Sequence, residues 1–198
     1  MTMAILEKKK TDSKLKPLKI HVLRNDNVKL WITLYNQKYH SVDFIKNHGC
    51  SILSASYLCQ YLGHKATPAK VYKKAKKYVK GSGCKLAMGG VKQIVDKICG
   101  GNHTKAYAVT KNNIDSIMKI IDDTINKNGI VSVEEKSPIH TVTVVGKDAK
   151  GNYLVANYGK IQTYSKAKLK KKLNRGSGKL SKWFSSSDKD AGIVVCLV

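Results

Sequence analysis

The chain reads as an α+β domain, a helical half packed on an antiparallel β-sheet, and three observations predict it. Helix-length apolar segments crowd between residues 50 and 126. From Gly129 onward the apolar residues fall instead in short β-branched runs. Turn sequences such as Asp148-Ala149-Lys150-Gly151 separate those runs at hairpin spacing. With 198 residues, 42% of them hydrophobic, the chain suits one domain with a real core. Residues 1–17 are basic and polar and are expected to be flexible; residues 18–198 are expected to form the single domain.

Two strands, Lys19 to Arg24 and Val28 to Tyr35, are expected on either side of the turn sequence Asn25-Asp26-Asn27. A polar loop holding Gln37 follows and runs to Gly49. The next segment begins at Cys50 and stops at Gly63, with Ile52, Leu53, Leu58, Tyr61 and Leu62 supplying a helical face to bury. Thr67-Pro68 is a cap and first-turn proline, opening a helix expected to reach Lys80 before Gly81-Ser82-Gly83. A third helix is expected from Val91 to Cys99, after Gly89-Gly90 and before Gly100-Gly101. Thr104 to Val109 reads as a strand. Asn113 to Asn126 reads as an amphipathic helix with Ile114, Ile117, Met118, Ile121 and Ile125 on one side. Strands are expected at Gly129 to Val133, Ile139 to Gly146 and Asn152 to Asn157. A lysine-rich helix from Ser165 to Leu173 and strands Leu180 to Phe184 and Gly192 to Val198 complete the chain. There is no internal repeat.

The formal net charge is +24, carried almost wholly by lysine, since Arg24 and Arg175 are the only arginines. Such a surface favours non-specific contact with polyanions. The scarcity of arginine forks argues against a sequence-specific reader of nucleic acid. No apolar run reaches the length of a membrane span. The N-terminus carries its apolar residues before Lys8-Lys9-Lys10, the reverse of a secretory signal, so a cytoplasmic protein or one released by a non-classical or phage-type route is expected. Cys50, Cys59, Cys84, Cys99 and Cys196 form no paired framework, and buried free thiols are expected. Cys84, Cys99 and His103 match no common zinc spacing, and no metal or other cofactor is expected.

Cys50 stands apart from the other thiols because it opens a helix, where the peptide dipoles favour the reactive thiolate. A cysteine alone is more often a small core residue, so its partners decide. His140 lies near the start of the run Ile139-His140-Thr141-Val142-Thr143-Val144-Val145. If Lys147 pairs with Lys150, His140 faces Asn157 directly. If a bulge at Gly151 shifts the register by two, they become diagonal neighbours within about 7–8 Å. Either way an amide lies beside the imidazole to fix its tautomer and aim the other nitrogen at a thiol.

Gly49-Cys50 at a helix start, the block Pro138 to Gly146 and the block Tyr153 to Asn157 together resemble the three motif blocks of the papain-like cysteine peptidases. They are most similar to the group of bacteriocin-leader (double-glycine) processing peptidases. The resemblance covers roughly residues 37–157. It implies Cys50 as nucleophile, His140 as general base then acid, Asn157 as the residue that orients His140, and an upstream glutamine as oxyanion donor. Gln37 is the only glutamine before Cys50. Ser51-Ile52 stands where members often carry Gly-Pro, and Asn157-Tyr158 where many carry Asp-Pro. The implied activity is cysteine-peptidase hydrolysis of peptide bonds through an acyl-enzyme, with a peptide or the peptide stems of peptidoglycan as substrate. The alternatives are a peptidoglycan-cleaving cysteine hydrolase, or an inactive basic binding module of the same fold.

Overall fold

The computed structural model describes residues 17–76, 85–180, 184–185 and 191–197. It is a mixed α+β architecture built on a six-stranded antiparallel sheet in the order β4-β10-β5-β6-β7-β8. Those strands are Thr104–Ala108 (β4), Gly192–Cys196 (β10), Ile130–Glu135 (β5), His140–Lys147 (β6), Tyr153–Asn157 (β7) and Lys160–Tyr164 (β8). Two small two-stranded sheets accompany it: the hairpin Leu18–Leu23 (β1) with Lys29–Leu34 (β2), and the long-range pair Lys85–Leu86 (β3) with Phe184–Ser185 (β9).

Helices cover both faces of the sheet. Alternation along the strands divides the side chains cleanly: Ile130, Val145, Leu154, Ala156 and Val194 join one apolar cluster, and Val131, Val133, Val144, Val155 and Ile193 join the other. The first cluster also takes in Cys50–Tyr61 (α2), Met88–Cys99 (α4) and the β1–β2 hairpin. The second is closed by Ile114–Asn126 (α5) and Lys166–Lys172 (α6). Two further helices, Asp43–His48 (α1) and Pro68–Ala75 (α3), pack against the α2 side. The expected packing of helices on an antiparallel sheet is present, and α5 and α6 cover the sheet's other face as well. β5 shows the consequence: every one of its residues is buried.

The helix α2 is the centre of the fold. All its residues but Gln60 are buried, not only the one face expected from its apolar spacing. Apart from Ser51, whose buried hydroxyl has no partner, its hydrogen-bonding side chains pair largely with the elements around it. Ser54 Oγ lies 2.6 Å from both Ser132 Oγ on β5 and Thr143 Oγ1 on β6. Ser56 donates to the Ala66 carbonyl at 2.6 Å, and Tyr61 to the Asn128 carbonyl at 2.9 Å. Gln60 takes the Thr33 N–H at 2.8 Å and tethers β2. Each bond removes the penalty of a buried polar group, so a serine-rich helix can occupy the core.

Several expected boundaries shift. The loop from Gln37 to Gly49 contains a 3-10 turn, Gln37–Tyr39, and the helix α1. Thr67 caps α3 as expected, accepting from the Lys70 N–H, and Ser165 caps α6 in the same way, accepting from the Lys168 N–H. The helix α4 begins at Met88, so Gly89 and Gly90 lie inside its first turn instead of before it. An unexpected strand, β8, follows β7 through Tyr158-Gly159, both at positive φ (46° and 72°), the geometry of a two-residue type I′ hairpin turn. Cys50, Cys59, Cys99 and Cys196 are free and buried. The N-terminal segment apart from Pro17, the continuation of the α3 helix to Lys80, Cys84 and residues 181–183 of an expected strand lie outside the described residues. Among the described residues no helix is long and apolar enough to cross a membrane.

Candidate active site

Cys50 is the first residue of α2 and is only 8% exposed. Gly49 ends α1 and opens α2, and its own N–H bonds to the Ile45 carbonyl at 2.9 Å. A Cβ at this position would lie 2.5 Å from the Ile45 carbonyl oxygen and 2.6 Å from Ile45 Cα. Glycine is thus required by close approach, at a φ of −88° that any residue adopts. No side chain caps α2, so the N–H groups of its first turn remain open.

His140 is the first residue of β6, and Asn157 is the last of β7. The hairpin closes with Lys147 opposite Tyr153, three residues beyond the expected Lys150. The reason is the longer turn: the Asp148 carboxylate accepts from the Lys150 and Asn152 N–H groups at 2.9 and 2.8 Å, folding the intervening residues into an Asx-stabilised loop. A bulge at Val145, instead of Gly151, then slips the ladder by one, giving Val144 opposite Val155 and Thr143 opposite Ala156. Continued by one step, that register sets Asn157 opposite Val142, two residues from His140. The two are diagonal neighbours on one face, and His140 Nε2 meets Asn157 Oδ1 at 2.8 Å. An amide oxygen accepts only, so Nε2 carries the proton and Nδ1 is the nitrogen left for the thiol.

Gln37, Cys50, His140 and Asn157 line one small cleft, together with Tyr57 and Tyr158. Four separate segments of chain bring them there. Gln37 is held by its Nε2 donating to the Lys46 carbonyl of α1 at 3.4 Å. The Tyr158-Gly159 turn packs on the residue before it, since a Cβ on Gly159 would meet the Asn36 backbone at 3.0 Å. One buried polar atom in the cleft, Gln37 Oε1, has no hydrogen-bond partner within the protein.

The electrostatics of the pair are complementary. Burial opposes ionisation of the Cys50 thiol, but the interaction with His140 and the nearby Thr141 N–H outweigh it and hold the thiol below its ordinary range. Burial likewise opposes charge on His140, and the Cys50 sulfur, Asn157 and the charge of Glu135 outweigh it and raise the imidazole. Both shifts favour a thiolate beside an imidazolium. Tyr158 covers the imidazole, ring centroids 4.6 Å apart and 12° from parallel, and Lys38 Nζ lies 5.0 Å from the far ring's centroid.

Sequence reasoning missed Tyr158, Thr141 and Glu135. Tyr158-Gly159 between two alternating runs is a hairpin-turn signal, and reading it would have set Tyr158 beside Asn157. Thr141 and Glu135 are marked by no local pattern, because their relation to Cys50 and His140 arises only from sheet pairing. Among the described residues no group of three or more His, Cys, Asp or Glu side chains is arranged to hold a metal. No protein-family model matches this chain, and no curated protein sequence matches it.

Proposed function

We propose that the protein is a papain-like cysteine peptidase, a hydrolase of peptide bonds acting through an acyl-enzyme. The observation that carries this reading is the cleft itself: a lowered thiol at a helix start, a raised imidazole, and an amide 2.8 Å from that imidazole's far nitrogen. Cys50 Sγ attacks the scissile carbonyl carbon, and the C=O π pair moves onto oxygen. The open Cys50 N–H and the second N–H of the Gln37 amide stabilise that oxyanion. His140 then gives its proton to the leaving amine nitrogen as the C–N bond breaks, leaving a thioester on Cys50. Neutral His140 next takes a proton from water, whose oxygen attacks the thioester, and collapse expels the Cys50 thiolate. Asn157 keeps the imidazole in the productive tautomer throughout. The orphaned Gln37 Oε1 is a polar atom that a bound peptide backbone would satisfy.

The formal charge of +24 favours one refinement, in which the peptide bonds cut are those of a substrate attached to an anionic polymer, such as peptidoglycan stems. The deciding experiment is labelling with a thiol-directed epoxide, followed by assays on a peptide library and on purified peptidoglycan. Cys50→Ala is expected to abolish both labelling and turnover, while Cys59→Ala and Cys196→Ala leave them intact. Labelling that survives Cys50→Ala rejects the assignment. Full labelling of Cys50 with no turnover of either substrate leaves the binding-module reading in its place.

A further inference from the structure

The third member of the cleft, Asn157, is neutral, so it orients His140 without offsetting the imidazolium charge. A carboxylate stands nearby on the neighbouring strand. Glu135, the last residue of β5, is the register partner of His140 across the β5–β6 ladder. Paired residues on an antiparallel ladder carry their side chains on the same face with Cβ atoms about 4.5–5.5 Å apart. Glu135 is 4% exposed. Its Oε2 meets Lys172 Nζ at 3.2 Å, and its Oε1 has no hydrogen-bond partner.

Burying a carboxylate with one oxygen unsatisfied is unfavourable. A glutamate whose only task was to pair with Lys172 would do so at less cost in solvent, where that lysine's side chain already is 37% exposed. The Tyr164 hydroxyl next to it lies 3.2 Å from Gln162 Oε1 and also interacts with the Glu135 carboxylate. The chain also fixes Glu135 in place: Lys136 N–H bonds to the Lys172 carbonyl and Asn174 N–H to the Glu134 carbonyl, both at 2.8 Å.

We propose that Glu135 is a positioning residue for His140, a buried anionic counter-charge on β5 that stabilises the imidazolium and takes the part a carboxylate at position 157 would play. This rests on the reading of Cys50 and His140 as a working pair. The groups facing His140 are the Cys50 thiol from α2, the Asn157 amide from β7, the Tyr158 ring with Lys38 beyond it, and Glu135. Those facing Glu135 are Lys172 from α6 and Tyr164 from β8. Glu135 also acts on two phenols, both raised by burial first: its charge comes next for Tyr164, and after that of Cys50 for Tyr158. Its field therefore reaches across the back of the cleft, and Lys172 partly opposes it.

The test uses the full chain carrying Cys50→Ala, which removes the sulfur's charge and makes the readout independent of turnover. The His140 ring is titrated by NMR, identified among the six histidines by its absence from His140→Gln. Glu135→Gln is expected to lower the ring's midpoint by roughly 0.5–1 pH unit, from a charge pair at this separation with partial opposition from Lys172. Lys172→Met, which removes the half-exposed cation paired with Glu135, is expected to move it the opposite way, with circular dichroism checking that the variant is folded. An unchanged midpoint in both variants, or shifts of the same sign, overturns the proposal. In the chain with Cys50 restored, Glu135→Gln is expected to pull the alkaline limb of the rate profile down by the same amount, and Glu135→Asp to restore part of it. If no substrate is turned over, the peptidase reading falls while the ring titration still decides the role of Glu135.

Discussion

Gly49→Ala is the sharpest local test of how the cleft is assembled. The added methyl would sit 2.5 Å from the Ile45 carbonyl oxygen, 2.6 Å from Ile45 Cα and 2.8 Å from Ile45 Cγ2. Two of these three atoms are backbone, so a side-chain rotation cannot clear them. The junction of α1 and α2 must open by nearly an ångström, and overpacking of this kind costs about 1–3 kcal/mol. For a chain of this length that corresponds to a fall in Tm of about 2–12 °C. Cys50 is the next residue, so the displacement passes to its sulfur. A misplacement of that size is worth on the order of 100-fold in rate. Three measurements follow: thermal melting, the second-order rate of Cys50 alkylation with its pH dependence, and kcat/KM on whichever substrate is turned over. The expected result is a moderate loss of stability with a much larger loss of thiol reactivity, as the sulfur leaves His140. A variant with wild-type melting and a wild-type alkylation profile would refute the claim that this glycine is fixed by the close approach of Ile45.

Ser54→Ala removes the hydroxyl shared by Ser132 and Thr143 at 2.6 Å each and is expected to destabilise the chain by about 1–3 kcal/mol, read from urea denaturation. The rate of peptide hydrolysis is expected to be bell-shaped in pH: it rises as Cys50 loses its proton below the ordinary thiol range and falls as His140 loses its proton above the ordinary imidazole range. Asp122 receives Lys147, Lys166 and the Tyr153 hydroxyl at 2.7 Å each; burial alone would raise its carboxyl, and these partners outweigh that and bring it down to about 2. A depressed carboxyl adds stability above its unfolded value that disappears as pH falls through the folded one. Asp122→Asn is therefore expected to destabilise by about 1 kcal/mol near neutrality, after screening at this partly solvated site, and the gap is expected to close toward pH 2 in acid titrations of melting temperature.

What the sequence made legible is what local pattern determines. The apolar spacing of α5, the Thr67-Pro68 start of α3 and the β-branched run of β6 are each written within a dozen residues, and all three form. The diagonal meeting of His140 and Asn157 was open to hairpin arithmetic because two adjacent strands and one turn fix it. The location of the bulge was not, since Val145 bears no mark that separates it from Val144 or Gly146. The full burial of α2 was also hidden. The partners of Ser54 and Ser56 lie on β5, β6 and the Ala66 loop, which no local pattern around the helix announces.

The same distinction explains why the counter-charge escaped notice. An acidic residue at the end of a strand is ordinarily a solvated one, and nothing within ten residues of Glu135 argues otherwise. Its burial is created by a return of the chain: α6 closes over the sheet, Leu173 forms a single bridge with Glu135, and Lys172 follows the carboxylate inward. The cleft thus depends on three orders of folding information. A helix start places the sulfur, a hairpin register places the imidazole and amide, and a long-range return places the carboxylate. Only the first two are local enough to be read before the chain is folded. It follows that substitutions along residues 166–174, more than twenty positions beyond His140, are expected to tune the imidazole's protonation without touching the cleft.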